Sequence, residues 1–139
     1  MDDSCVFCGI LAGRLPARFV YQDDHTAAFL TIGPLRVGHT LVVPRQHVPD
    51  LSAAAAPEAV SAIGPALHET TRILSSRLGA DGISLSQANG AAAGQEVFHL
   101  HFHLIPRWEG DRQLRDWFAD ETAKDRLDET HQLLVDAGS

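Results

Sequence analysis

Three histidines, His99, His101 and His103, alternate with apolar residues in the last third of the chain. Every second side chain of a β-strand points to the same face, so this spacing predicts a row of imidazoles whose Cα atoms lie about 6.6–6.8 Å apart. Leu100 and Phe102 would face the core and hold the row rigid. Such a row suits a nucleophile aimed at a bound substrate, or two ligands of a metal ion. The outer pair, about 13 Å apart, is too distant for one metal to bind all three.

The loop before this strand is a candidate phosphate site. It consists of small residues between two amides, in the order Asn89-Gly90-Ala91-Ala92-Ala93-Gly94-Gln95. Small residues let backbone N–H groups approach a phosphate closely, although ordinary turns have a similar composition. We expect Asn89 and Gln95 to act as neutral donors, with Gly94 and Val97 also in the substrate-binding set.

Cys5 and Cys8 have the spacing of half a zinc site. Two further ligands must come from elsewhere in the chain, and His47 and His99 are the candidates. A redox C-x-x-C motif and a pair of reduced core cysteines without either role are the alternatives. The few residues before Cys5 leave no room for the strand that usually precedes a redox motif.

Hydrophobic periodicity predicts the elements that position these residues. The expected strands are a hairpin over residues 18–30 that turns at Asp23-Asp24, then residues 40–43, 82–88 and 98–105, with Pro44 and Pro106 as stops. In the fourth strand, Ile83 and Leu85 alternate with serines, as in a half-buried strand. The sequence therefore predicts an α+β fold with an antiparallel five-stranded sheet.

Helical patterns account for the rest of the chain. Apolar residues at helical spacing, Val60, Ile63, Leu67, Leu74 and Leu78, predict one main helix that ends at Gly79. Pro65 should kink this helix or mark its first turn. Trp117, Leu127 and Leu134 predict one or two helices within residues 112–137. His25, His68 and His131 are expected at the surface.

Length and charge restrict the possible functions. The 139 residues fit one domain, here 1–139, with a core of 5–107 and a C-terminal helical extension of 108–139. A net charge of −7 argues against nucleic acid as a partner, and no apolar run is long enough to cross a membrane. The first residues lack the basic and apolar stretches of a secretory signal, so a cytoplasmic location is expected.

Residues 95–105, QEVFHLHFHLI, resemble the signature of the histidine triad (HIT) family, Q-x-V-x-H-x-H-x-H followed by two apolar positions. Further matching residues occur in the family's order: Asp23-Asp24, Ala28-Phe29, Ile32, Pro34, Gly38-His39 and Val42 to His47. The resemblance covers nearly all of residues 5–107. It implies the sheet described above, paired with that of a second protomer into one continuous sheet, and thus a homodimer.

The resemblance also implies residue roles. His101 corresponds to the nucleophile, His103 to a histidine that donates a hydrogen bond to a phosphate oxygen, and His39 to a supporting histidine. The nucleoside pocket maps onto Phe7, Ile10, Leu15, Phe29 and Ile32. Thr31 stands where the family has an acidic or amide residue on the ribose. The apolar pocket residues are equally typical of a core.

The implied function is that of a nucleotide phosphoramidase or hydrolase that cleaves an AMP-type α-phosphate bond through a nucleotidyl-histidine on His101. A purine nucleotide-type small molecule is the expected substrate. The alternatives are a dinucleoside polyphosphate hydrolase, a low-turnover nucleotide-binding module and an enzyme with catalytic zinc on the triad strand. The chain is similar to zinc-containing bacterial members, which implies structural zinc on Cys5, Cys8, His47 and His99 and no organic cofactor.

Overall fold

The computed structural model describes residues 4–111 and 120–136, which form an antiparallel five-stranded sheet with helices. The strands are β1 (Phe19–Gln22), β2 (Thr26–Leu30), β3 (Thr40–Pro44), β4 (Gly82–Ser86) and β5 (Phe102–Arg107), in the spatial order β1-β2-β3-β5-β4. The helices are α1 (Val6–Leu11), α2 (Ala56–Ser61), α3 (Gly64–Leu78), α4 (Glu121–Asp125) and α5 (Leu127–Val135). The predicted fold class is confirmed.

The predicted hairpin is formed by β1 and β2. Asp23 closes its turn, because Oδ1 accepts hydrogen bonds from the backbone N–H groups of His25 and Thr26 at 2.9 and 2.8 Å. The Tyr21 hydroxyl donates to the other oxygen of Asp23 at 2.7 Å. A short side chain that caps its own turn is the reason why aspartate predicts one.

The central strands β2 and β3 are buried on both faces. Alternate residues such as Ala28, Leu30 and Val42 pack in one apolar cluster with α3 and α5, while Phe29 and Leu41 pack in a second cluster with α1. Most of the second cluster comes from the N-terminal third of the chain. The sheet is therefore the middle layer of the molecule.

Residues 56–78 form two helices instead of one. Pro65 lies in the first turn of α3, where its missing N–H would have no helical partner, so the second of the two expected outcomes is observed. Gly79 ends α3 with a left-handed φ of +63°. In the tail, α4 and α5 confirm the predicted helices, and Leu127 and Leu134 pack in the main cluster. Trp117 lies outside the described residues.

The strand predicted over residues 98–105 was placed wrongly. It begins at Phe102, so His103 is in β5 whereas His99 and His101 precede it. The Leu100 N–H donates to the Val48 carbonyl at 2.7 Å instead of joining the sheet. Pro106 does not end the strand, because β5 pairs with β3 only as far as Leu104 and a proline can occupy the unpaired side beyond.

The strand β4 is also less buried than its alternating pattern predicts. Ile83 packs against the main core cluster, but Leu85 is 56% exposed, because β4 is the edge strand and the helices α1 to α5 do not cover that position. The described part of the chain contains no helix with the length and apolar character needed to span a membrane. Of the histidines expected at the surface, His131 is partly buried, with Nε2 at 2.7 Å from the Phe19 carbonyl.

Candidate active site and metal site

The ring of His101 is held by a backbone contact. Its Nδ1 lies 2.8 Å from the carbonyl oxygen of His99. A carbonyl can only accept, so Nδ1 carries the proton and Nε2 carries the lone pair. The ring packs edge-on against Phe7 with centroids 5.1 Å apart, and lies 5.0 Å from the ring of His103. The second histidine of the row therefore presents a nucleophilic nitrogen beside the third.

His103 and His39 form a relay with fixed proton positions. The backbone N–H of Leu35 donates to Nδ1 of His39 at 3.0 Å, so the proton of a neutral His39 must be on Nε2. That nitrogen lies 2.9 Å from Nδ1 of His103. His39 thus donates to His103, whose own proton is left on Nε2. The structure brings His39, His101 and His103 together, and donation from His103 Nε2 to a phosphate oxygen stays a prediction.

Burial keeps these imidazoles neutral. It lowers the pKa of His39 to about 3, with the neighbouring His103 and His101 as lesser causes. Burial, with the proximity of His101 as a lesser cause, lowers the pKa of His103 to about 4. Burial also lowers the pKa of His101, although the hydrogen bond to the His99 carbonyl opposes that effect. A neutral His101 is the form that can attack an electrophile.

Cys5, Cys8, His47 and His99 form one cluster, with all four ligand atoms within 4.8 Å of one another. Cys5 is the N-cap of α1, where its Sγ accepts from the Cys8 N–H at 3.3 Å, so the first helical turn brings both sulfurs to one side. His47 follows β3, and the buried His99 precedes β5. The sequence predicted this set, but not the helix that carries the two cysteines.

The donor atoms of this cluster fit a tetrahedral metal ion. His99 Nε2 lies 2.8 Å from the Pro44 carbonyl and so bears the proton, which leaves the Nδ1 lone pair facing the sulfurs. Sγ···Nδ1 separations of 3.3–3.5 Å and an Nδ1···Nδ1 separation of 3.2 Å are observed. Zinc bonds of about 2.3 Å to sulfur and 2.0–2.1 Å to nitrogen give tetrahedral edges of about 3.5 and 3.3 Å. The residues therefore fit zinc.

The loop over residues 89–95 is held by its two amide side chains. Gln95, only 4% exposed, accepts from the Gly90 N–H and donates to the Pro49 and Val97 carbonyls. Asn89 Oδ1 accepts from the Leu51 N–H at 2.8 Å. A 3-10 turn spans Ala91–Ala93, between glycines with φ of +93° and +99°. Both amides therefore shape the loop in this structure, and their contact with a phosphate stays a prediction.

The predicted nucleoside pocket divides into two groups. Phe7, Ile10, Phe29 and Val97 belong to the apolar cluster below His101. Leu15 and Ile32, in contrast, are exposed, Ile32 to 76%. Thr31 is partly buried, and its Oγ1 accepts from the Gly33 N–H at 3.2 Å.

Sequence reasoning did not identify the groups that orient the histidines. They are the N–H of Leu35 and the carbonyls of His99 and Pro44. Every residue has such groups, so no residue type marks them in a sequence. Prolines and Gly38 near His39 and His47 indicate an irregular backbone there, but not which of its groups contact the imidazoles.

Comparison with known proteins gives consistent matches. The model of the HIT domain family matches residues 12–110. An uncharacterized HIT-like protein of Methanocaldococcus jannaschii is 44% identical over 110 residues, which are 79% of this chain and 84% of that protein. The adenylylsulfatase HINT3 of Arabidopsis thaliana is 38% identical over 80% of this chain, and the matched part is 56% of its length.

Among solved structures, a Zn-bound histidine triad family protein from Mycobacterium smegmatis is similar in fold, with a TM-score of 0.78 and 34% identity. The similarity covers 98% of both chains. It therefore includes the segment around Cys5 and Cys8, which lies before the residues matched by the family model.

Proposed function

Because the chain belongs to the HIT domain family, we propose that it is a nucleotide phosphoramidase or hydrolase that cleaves an AMP-type α-phosphate bond, with His101 as the nucleophile. One observation carries this proposal: Nδ1 of His101 lies 2.8 Å from the His99 carbonyl, which leaves the lone pair on Nε2. A neutral imidazole with a fixed ring and a defined nucleophilic nitrogen is prepared for in-line attack.

In the proposed reaction, His101 Nε2 forms a bond to the α-phosphorus while the bond to the leaving group breaks. The leaving group departs with the electron pair of that bond. The Nε2 proton of His103 donates a hydrogen bond to a nonbridging oxygen, where negative charge increases in the transition state; one such donor contributes about 2.7–4 kcal/mol. Water then cleaves the phosphorus–nitrogen bond, which releases a nucleoside monophosphate and restores His101.

The proposed substrate is a purine nucleotide whose α-phosphate carries an amine, a phosphate or a sulfate. The Arabidopsis relative named as an adenylylsulfatase supports an adenylyl group with an acidic leaving group. A dinucleoside polyphosphate has the same reacting phosphorus and is the second candidate. Thr31 makes at most a weak contact with ribose, because a hydroxyl lacks the charge of a carboxylate. A low-turnover binding module remains the alternative outside catalysis.

The test of the nucleophile compares His101→Ala with His25→Ala, which removes an exposed imidazole from the turn of the β1–β2 hairpin. Hydrolysis of AMP-lysine, AMP-morpholidate, diadenosine polyphosphate and adenylyl sulfate is measured for each protein. We expect His101→Ala to lose more than about 1000-fold in kcat, since covalent catalysis needs the nucleophile, and His25→Ala to match the wild type. Mass spectrometry of quenched protein should show a nucleotidyl adduct only where His101 is present.

We also propose structural zinc on Cys5, Cys8, His47 and His99, and a reducing, cytoplasmic location that keeps the two cysteines from forming a disulfide. Four protein ligands leave no open position, so this zinc would hold α1 against the segment before β5 and take no part in bond cleavage. Metal analysis of protein purified without chelator should give one zinc per chain. Cys8→Ser should lower the zinc content and the melting temperature. Absence of zinc from protein with reduced thiols would contradict the assignment.

A further inference from the structure

A continuous hydrogen-bond path leads from the start of α4 to the catalytic histidines. The backbone N–H of Asp120 donates to the Pro34 carbonyl at 2.6 Å. The N–H of the same peptide group belongs to Leu35 and donates to Nδ1 of His39 at 3.0 Å. His39 in turn donates to His103 at 2.9 Å. One peptide group thus joins the C-terminal helices to the proton that His103 carries.

This path is shielded from water. Pro34, Leu35 and His39 are all less than about 2% exposed, so little solvent competes for their hydrogen bonds. Hydrogen bonds in series polarise one another, and a peptide whose oxygen accepts a bond becomes a better N–H donor. The contact at Pro34 therefore strengthens the bond that sets the His39 tautomer, as well as fixing the plane of the peptide.

The start of α4 is itself fixed in place. Asp120 is the N-cap residue, and its Oδ1 accepts from the Ala123 N–H at 3.1 Å. Ala123 is buried, and so is Leu127 in the first turn of α5. These contacts hold the Asp120 N–H against the sheet layer. The segment that delivers the donor is thus anchored independently of the histidines.

We propose that Asp120 is a positioning residue: through the Pro34–Leu35 peptide it keeps His39 and His103 in the tautomers that present a proton on His103 Nε2. The C-terminal helices are then part of the catalytic apparatus and not only an extension of the domain. The tautomer assignment stands independently of any activity, whereas its effect on rate depends on the function proposed above.

Two proline variants test the backbone donor directly. Asp120→Pro removes both the N–H that reaches Pro34 and the capping carboxylate, and Asp120→Ala removes the carboxylate alone. Glu121→Pro controls for a proline at the first helical position, where proline is favoured. Asp120 has an extended ψ of 108°, which the residue before a proline requires. The readouts are the ring ¹⁵N chemical shifts of His39 and His103, which report the tautomers, together with kcat and KM on an AMP-linked substrate.

We expect wild type and Glu121→Pro to show both rings in the Nε2–H form. Asp120→Pro should show averaged tautomers and a kcat lower by about five- to tenfold, with KM within about twofold, because a small misplacement of a catalytic group mainly slows the chemical step. Identical ring shifts in the two proline variants would overturn the inference. Unchanged kcat with averaged tautomers would remove the catalytic part of it.

A second pair of variants keeps the test valid if Asp120→Pro does not fold. Asp120→Asn preserves a capping oxygen, whereas Asp120→Ala removes it. We expect Asn to retain the wild-type ring shifts and Ala, which loses the cap that anchors the donor, to move them part of the way toward the average; wild-type shifts in both would refute the inference that the capped start of α4 holds the tautomers. If the wild type hydrolyses none of the substrates, the proposed function fails, and the ring shifts alone decide this inference.

Discussion

Single backbone groups decide what each imidazole of this site can do. A carbonyl leaves the lone pair of His101 on Nε2, the nitrogen that we propose as the nucleophile, and an N–H makes His39 a donor toward His103. A second carbonyl, that of Pro44, leaves the lone pair of His99 on Nδ1, where a metal ligand needs it. Three residues of the same type thus acquire three roles from their nearest polar neighbours.

The buried histidines should make stability sensitive to acid. Burial lowers the pKa of His39 to about 3. Below a pH of about 6.5, the ordinary pKa of histidine, this residue is therefore protonated in the unfolded chain but stays neutral in the folded chain. The contribution of His39 to the free energy of unfolding is therefore complete above about pH 6.5 and is lost as the pH decreases toward the folded-state pKa. For His39 we expect a loss of about 1–2 kcal/mol between pH 7 and pH 5.

Urea unfolding at both pH values, with wild type and His39→Gln, measures this contribution. Glutamine keeps a neutral donor for His103 but cannot titrate. The variant should therefore lose less stability on acidification than the wild type, even though His103 and any bound metal respond to pH in both proteins. An equal loss in the two proteins would show that His39 is not the group responsible.

The residues that the structure brings together in the two candidate sites were predictable from sequence, but their orientations were not. The H-x-H-x-H spacing and the paired cysteines locate both sites, because metal binding and nucleophilic attack need particular side chains. The tautomers depend on backbone groups: those of Leu35 and His99 are close in the chain to the imidazoles they contact, whereas that of Pro44 is 55 residues from His99. No property of a residue type indicates such contacts.

At the level of elements, the boundary of β5 shows how a site overrides a local pattern. Residues 98–101 alternate as a strand should, yet His99 points its Nδ1 at two cysteines and Leu100 bonds to Val48 instead. The start of the strand at Phe102 therefore depends on α1, which approaches from the other end of the chain. The alternation of apolar and polar residues alone cannot predict a contact between segments so far apart in the sequence.

Gly38 couples α3 to the loop that carries His39. Its φ is +84°, and an added Cβ would overlap Leu78 Cδ1 and lie 3.0 Å from Pro106 Cγ. Gly38→Ala should lower the free energy of unfolding by about 2–4 kcal/mol, because backbone strain and overpacking add. Gly79→Ala is the control: its φ is +63° but its surroundings are open, so a loss of about 1 kcal/mol is expected.

Urea titration of both glycine variants separates the two effects. Because residue 38 precedes His39, Gly38→Ala should also reduce turnover of an AMP-linked substrate, whereas Gly79→Ala should not. Equal losses of stability in the two variants would mean that only the left-handed backbone matters and that the contact with α3 does not position the loop.

At the level of the whole molecule, the sheet separates two apolar clusters. The cluster on one face joins α3 and α5 to the sheet, while the cluster on the other joins α1. The candidate metal cluster connects α1 with the segments after β3 and before β5, so it ties the N-terminal part of the chain to the histidine row. On the opposite face, the C-terminal helices are linked to the histidine row through the hydrogen bond from the Asp120 N–H to the Pro34 carbonyl.

Within residues 4–111 and 120–136, the strand β4 is one edge of the sheet, and we expect the protein to form a homodimer there. Leu85 lies opposite Leu104 in the register of β4 and β5 but is 56% exposed, and an apolar edge of this kind favours pairing with a second copy. Leu85→Lys should place a charge in that interface and give a 15.0 kDa monomer by light scattering at micromolar concentration, where the wild type should have twice that mass. Leu133→Lys, at an apolar position of α5 that is 49% exposed, should remain dimeric. A wild-type mass of 15.0 kDa would rule the dimer out.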